Sequence, residues 1–193
     1  LGELGAAPRA RIVGAIRELL VGATDTDAAF ARLTARDTRI VSLTVTEKGY
    51  CHTPQTGELD EHHPDIVHDL QHPDAPRSAI GFLAAALERR RIAGAAPFTV
   101  LSCDNLSANG HTVGRIVTQF ASLRSRNLAK WIEAEVAFPS TMVDRIVPET
   151  TDLDRAEISS ALGMTDAWPV VTEPFTQWIV EDRFPAGRPD FAA

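Results

Sequence analysis

The sequence predicts an α/β fold with a mainly parallel sheet and flanking helices. Three observations carry that reading. Residues 39–46 (RIVSLTVT) and 98–102 (FTVLS) are short, apolar and β-branched, as strands covered on both faces of a parallel sheet are. A helical pattern lies between them and another follows the second, giving strand, helix, strand, helix at βαβ spacing. The chain has 193 residues, enough for one domain with a real core, and it shows no internal repeat or low-complexity linker.

Each element has a local cause. Residues 11–20 (RIVGAIRELL) are apolar and fit either strand or helix. Thr24 and Asp25 can cap a helix over 27–34, because their side-chain oxygens accept from free N–H groups. The strand at 39–46 stops at Glu47-Lys48-Gly49. Residues 51–77 are polar and rich in His, Pro and Asp, with a turn at 54–57 and a short helix over 65–70. At 78–93 (SAIGFLAAALERRRIA) the apolar spacing is helical and arginines fill the last turns, where they complement the helix dipole; Gly94 serves as the C-cap. After the strand at 98–102, one long helix is expected from about 112 to 136, broken by Phe138-Pro139-Ser140. Residues 141–148 (TMVDRIVP) are short and apolar, interrupted by Asp144-Arg145. A capped helix follows over 152–162, ending at Gly163. The last strand is expected at 170–181 (VVTEPFTQWIVE), with Pro174 marking an edge or a bend.

Composition excludes several classes. The net charge is −7 and the isoelectric point is about 5.3, which leaves no basic footprint for nucleic acid. No apolar run approaches the roughly 20 residues of a membrane span. Cys51 and Cys103 are the only cysteines. They make neither a disulfide framework nor a zinc-knuckle spacing, so a reducing cytoplasm is the expected compartment.

In an open parallel sheet, ligands bind beyond the carboxyl ends of the strands. Two strands here end in polar clusters, Thr44-Val45-Thr46-Glu47-Lys48-Gly49 and Ser102-Cys103-Asp104-Asn105. Both are expected on one edge of the sheet. They fit a ligand edge, and they fit ordinary loop caps in which Asp104 or Asn105 satisfies backbone groups before the next helix. The Asn105 amide is able to donate to an oxygen on which negative charge develops. A carboxylate at Asp144 can bind a substrate hydroxyl or simply pair with Arg145. His62, His63, His68 and His72 raise a metal alternative, since His68 and His72 stand at i and i+4. No HExxH motif supports it and Pro73 ends the helix at once, so no metal is expected. Cys103 beside Asp104 is a possible nucleophile, but no histidine is placed for it by sequence. A glycine-rich phosphate loop is absent, because Gly2 and Gly5 do not make GxGxxG after a strand.

Five stretches together resemble the mannitol dehydrogenase family of polyol-specific long-chain dehydrogenases. They are TVTEKGYC (44–51), HPDIVHDL (63–70), FTVLSCDNLSANG (98–110), AFPSTMVDRIVP (137–148) and PVVTEPFTQWIVEDRF (169–184). The resemblance runs from about Arg11 to Pro189. It implies a Rossmann-type, doubly wound fold binding NAD, with NADP the alternative. It implies hydride transfer between the nicotinamide and a polyol or sugar acid, with no metal. By that resemblance Asn105, in SCDN, is the catalytic amide that holds the reacting oxygen, and Asp144, in MVDR, lies at the substrate site. Thr46, Glu47 and Lys48 lie beside the cofactor. TEKGYC, the turn TPQTGELD and AFPSTMVDRIVP look more like fructuronate reductases (D-mannonate oxidoreductases) than mannitol 2-dehydrogenases.

The resemblance also carries an expectation about extent. The family's glycine-rich loop would precede Leu1. Its catalytic lysine, in Lys-x4-Asn-x2-His, would follow Ala193; the lysines here, Lys48 and Lys130, are in no such motif. Residues 1–193 are thus expected to be a single partial cofactor-binding domain of a longer enzyme, inactive alone. The competing expectation, for a chain complete as written, is a non-catalytic binding domain.

Overall fold

The computed structural model describes residues 10–191. These fall into two compact units. One comprises Leu20–Met142 with the described residues from Ile179 onward. The other comprises Val143–Trp178 with the described residues up to Leu19.

The larger unit is built around a parallel strand pair. β1 (Ile40–Leu43) pairs with β4 (Thr99–Ser102), in register from Ile40 opposite Thr99 to Leu43 opposite Ser102. All four residues of β4 are buried. Val100 also donates from its N–H to the Ala137 carbonyl at 3.0 Å, so the chain at 137 flanks β4. The helices around this pair are α1 (Thr26–Thr34), α2 (Pro64–Gln71), α3 (Ala79–Ile92), α4 (Asn109–Arg124) and α5 (Arg126–Glu135). A small antiparallel hairpin, β2 (His52–Thr53) with β3 (Glu58–Leu59), forms around the expected turn. β5 (Thr141–Asp144) and β6 (Gln177–Val180) make a further two-stranded sheet. The core gathers Phe30, Ile80, Leu83, Leu87, Phe98, Ile116, Phe120, Leu128 and Ile132, each nearly or fully inaccessible.

Local signals account for the element ends. Ser78 caps α3, its hydroxyl accepting from the Gly81 N–H at 2.9 Å. Gly94 lies one residue past the Ala93 cap with φ +62°, the left-handed conformation that glycine takes without penalty. In the smaller unit α6 spans Asp152–Leu162, as expected, with a reciprocal capping box between Thr151 and Asp154 and a left-handed Gly163 at its end. There too the Glu173 carboxylate accepts from the Ile146 N–H at 2.6 Å, and Arg145 donates to the Glu173 carbonyl.

Five expectations change. Asp25 heads α1 without a side-chain cap, because its carboxylate accepts from the Val21 N–H at 2.8 Å instead. The stretch 11–20 takes neither strand nor helix. The long helix from 112 to 136 is two helices. Ser125 turns extended (φ −160°, ψ 119°), closes α4 and caps α5 by accepting from the Leu128 N–H. An apolar face continuous across the break hides the turn from periodicity alone. The strand at 39–46 is only Ile40–Leu43, because the backbone at 45 and 46 bonds elsewhere, as described below. The strand at 170–181 shortens to Gln177–Val180, with Pro174 outside it. Among the described residues no helix is long and apolar enough to cross a membrane.

Arg90 shows how the larger unit is locked. It lies within α3 and is 2% exposed. Its guanidinium donates to the carbonyls of Leu33 (2.9 Å), Ala96 (2.7 Å) and Thr38 (2.8 Å), and also to that of Ala35. It therefore satisfies the backbone between α1 and β1 and the turn before β4, which no strand or helix bond reaches. A point-charge ammonium lacks the planar fork that serves several acceptors at once. Arg90→Lys is expected to cost roughly 2 kcal/mol, since it leaves partly buried carbonyls without their charged donor; the midpoint of urea unfolding checks this.

Candidate functional site

The parallel register puts the ends of β1 and β4 side by side. The Cys103 N–H donates to the Leu43 carbonyl at 2.8 Å, so the two polar clusters leave the sheet at the same edge, as expected. What joins them is the Asp104 carboxylate. Oδ2 accepts from the Val45 N–H at 3.1 Å and Oδ1 from the Thr46 N–H at 3.0 Å. The Tyr50 hydroxyl donates to Oδ2 at 2.5 Å. Because that proton is committed, the Ser102 hydroxyl, 2.7 Å from the Tyr50 oxygen, supplies the proton of the bond between them. Tyr50 is fully buried. Burial, and then the Asp104 carboxylate accepting its proton, push the phenol well above its ordinary range, so it stays a neutral donor.

This clamp gives the turn an unusual backbone. Thr46 has φ +63°, a conformation that β-branched residues rarely adopt. A 3-10 helix, Glu47–Tyr50, starts directly after it and returns Tyr50 to the clamp. Thr46, Glu47 and Lys48 are therefore exposed at the sheet edge on a turn whose shape is set from across the sheet. Asn105 is exposed on the neighbouring loop, one residue beyond the clamp. The structure thus gathers four of the five expected site residues at one edge. Asp144, the last residue of β5, is exposed and belongs to the other compact unit.

Asn109 is a residue that the sequence reading passed over. It is 0% exposed and opens α4. Its amide nitrogen lies 2.9 Å from the Asp104 carbonyl and 3.0 Å from the Thr141 carbonyl, while its amide oxygen accepts from the Gly110 and Thr141 N–H groups. It pins the SCDN loop to the start of β5. A Cβ at Gly110 would collide with the backbone of Phe138 and Pro139, so the helix start and that segment are in direct contact. The pair Asn-Gly was the available signal, a polar residue and a residue without a side chain where an apolar helix begins.

A cleft of about 410 Å³ opens against the same turn, lined by Thr46, Lys48, Cys51, His63, Asp65 and Arg77 among others. Cys51, His63 and Asp65 bring potential metal-ligand atoms within 4.8 Å of one another. His63 Nδ1 accepts from the Asp65 N–H at 3.2 Å as the cap of α2. Burial, then Asp65, Asp69 and Asp60, push the Cys51 thiol up to about 11. Nearby, the His68 and His72 rings stack with centroids 4.5 Å apart, and His68 bonds Asp69. Cys51 and Cys103 are both free thiols, and burial followed by Asp104 raises Cys103 as well.

A thiol whose acidity is lowered by folding favours the folded state while it is protonated. Its contribution is complete below the ordinary thiol value and is lost as pH rises towards about 11. Alkylation of native Cys51 by iodoacetamide at pH 8 is expected to be far slower than in the denatured chain. It should accelerate as pH approaches 11; peptide mapping by mass spectrometry reads both.

Comparison with known proteins bears on the whole chain. The family model described as the mannitol dehydrogenase Rossmann domain matches residues 2–193. A mannitol 2-dehydrogenase of Aspergillus clavatus is 47% identical over 184 residues, covering 94% of this chain and 37% of that protein. An uncharacterized oxidoreductase of Escherichia coli, YeiQ, is 54% identical over 179 residues, covering 92% of this chain and 37% of that protein. Among solved structures, Pseudomonas fluorescens mannitol 2-dehydrogenase in ternary complex with NAD and D-mannitol superposes with a TM-score of 0.87 at 46% identity, over 92% of this chain and 36% of that one. A substrate-free D-sorbitol dehydrogenase superposes with a TM-score of 0.84 at 40% identity. The chain therefore spans a little over a third of the length of the relatives it matches. The fold is Rossmann-type, as the motifs implied, and the chain belongs to the mannitol dehydrogenase family.

Proposed function

We propose that this chain is the cofactor-binding part of an NAD-dependent polyol dehydrogenase, acting on D-mannitol and D-fructose. The observation that carries the reading is the paired edge itself. An exposed amide at Asn105 and an exposed turn at Thr46–Glu47–Lys48 leave adjacent parallel strands side by side, in a chain 46% identical to a dehydrogenase solved with NAD and D-mannitol. The edge suits a nicotinamide cofactor: the turn is open to solvent, yet its backbone is held by Asp104. Thr46, Glu47 and Lys48 would line it, with NADP the alternative cofactor. Bound there, the cofactor supplies the hydride acceptor for alcohol oxidation.

Asn105 has one task in this scheme. Its amide N–H donates to the substrate oxygen, which gains negative charge as the hydroxyl proton passes to the lysine base that the family resemblance implies, and a placed neutral donor stabilises that charge without titrating. Asp144, exposed in the other compact unit, keeps the substrate-binding role that the family resemblance implies for it. Proton transfer is not assigned to Lys48 or Lys130. The preference for fructuronate and mannonate gives way to mannitol, because the relatives at 46–47% identity are mannitol 2-dehydrogenases. The two free thiols fit the reducing cytoplasm expected from the sequence.

Purified full-length protein containing this sequence is expected to reduce NAD with D-mannitol and to oxidise NADH with D-fructose, faster than with D-fructuronate. Asn105→Ala should lower kcat/KM by roughly 100-fold to 1000-fold. Turnover of none of these substrates would sink the reading, and a clear preference for fructuronate would move it to the sugar acids.

A further inference from the structure

We propose that Asp104 is a positioning residue that couples the cofactor-side turn to the catalytic amide, with Tyr50 as its second arm. The proposal rests on the dehydrogenase reading and deepens it. Asp104 touches neither reacting group in that scheme. It acts through the two segments that would.

The coupling is visible bond by bond. The Asp104 side chain holds one segment: it accepts from the N–H groups of Val45 and Thr46 and from the hydroxyl of Tyr50. The Asp104 main chain holds the other. Its carbonyl accepts from the Asn109 amide at 2.9 Å and from the Leu106 N–H at 2.9 Å, which closes the loop around Asn105. Displacing Asp104 therefore moves Asn105, its chain neighbour, and releases the Thr46 turn, 58 positions away in sequence.

The chemistry calls for a carboxylate. All three groups that converge on the side chain are donors, and two of them are backbone N–H groups that cannot turn away. An ionised carboxylate accepts at both oxygens, whereas an amide of the same shape presents a donor on one side. Asp104→Asn thus sets an NH2 group against a backbone N–H. Thr46 makes the consequence local: its left-handed backbone persists only while its surroundings impose it, so losing the Oδ1 bond lets the turn relax to an ordinary conformation. Tyr50 closes the same circuit from the other end of the 3-10 helix, and Ser102, on β4, supports the phenol oxygen. One carboxylate and one phenol thereby set where the two candidate contact surfaces stand relative to each other.

The test uses full-length protein containing this sequence, with Asp104→Asn and the milder Tyr50→Phe, which removes a hydroxyl and leaves the ring packed. Three readouts separate positioning from bulk stability, all at a temperature where the variants remain folded. Asp104→Asn is expected to weaken NADH binding about tenfold by fluorescence titration and to lower kcat on D-mannitol roughly 100-fold, the scale of a misplaced reacting geometry. Asn105→Ala, by contrast, should leave NADH binding unchanged. Combining the two changes should cost much less than the product of the single effects, because Asp104 acts through Asn105. Tyr50→Phe should move the same quantities in the same direction by about threefold to tenfold. Hydrogen exchange, which needs no activity, should show the segments 44–50 and 101–110 loosening together in Asp104→Asn. Wild-type kcat and NADH affinity in a folded Asp104→Asn overturn the proposal, as does loosening of only one segment. If the wild-type protein turns over no polyol, the dehydrogenase reading fails by itself, and joint or separate loosening then decides the coupling.

Discussion

A single carboxylate organises the sheet edge of this protein. Two parallel strands that end together leave backbone N–H groups pointing into the space between their loops, and those groups need acceptors. Asp104 provides them for Val45 and Thr46, and takes the Tyr50 proton as well. Hydrogen bonds to an ionised acceptor are stronger than those between neutral groups, which offsets the cost of keeping a half-buried charge beside a fully buried phenol. Three features follow from it: the early end of β1, the left-handed Thr46, and the 3-10 helix that returns Tyr50 to the carboxylate.

The rest of the larger unit supports that edge from below. Arg90 ties the backbone ahead of both strands, at the opposite end of the pair, by spreading one guanidinium over carbonyls from 33 to 38 and at 96. Asn109 does the corresponding work at the top, between the SCDN loop and Thr141, and Gly110 allows helix α4 to start against the backbone of Phe138 and Pro139. Between these polar ties, β4 is buried throughout and its strand pair is short. A four-residue parallel pair has few ladder bonds. Its ends are held by side chains, with the helices covering the apolar core.

The division between clamp and contact residues has a functional logic. Asp104, Asn109, Tyr50 and Ser102 are occupied with one another and with backbone. Thr46, Glu47, Lys48 and Asn105 are exposed around them. A binding edge works best when its exposed groups stand on a support already satisfied, since little ordering is then left to be done when a ligand arrives. The cleft at Cys51, His63 and Asp65 shares Thr46 and Lys48 with that edge, and His63 Nδ1 caps helix α2 beside it.

Much of this was legible in the residues themselves. The βαβ order, the Gly94 end of α3, the 152–162 helix ending at Gly163 and the polar strand ends are local properties, written within a few residues through periodicity, capping and turn chemistry. Even the adjacency of the two polar clusters follows from parallel topology. The break at Ser125 was not legible, because the apolar pattern continues across it and the choice between one helix and two is made by packing. Nor was the role of Asp104, which reads locally as a loop cap. Its partners lie 54 to 59 positions away, and only the parallel register brings them within hydrogen-bond reach. The sequence by itself determined the order of strands and helices around the parallel pair, the family and the polar residues at the edge. The tertiary structure decided which of the polar residues hold that edge together, because a hydrogen bond depends on distance in space and a sequence records only distance along the chain.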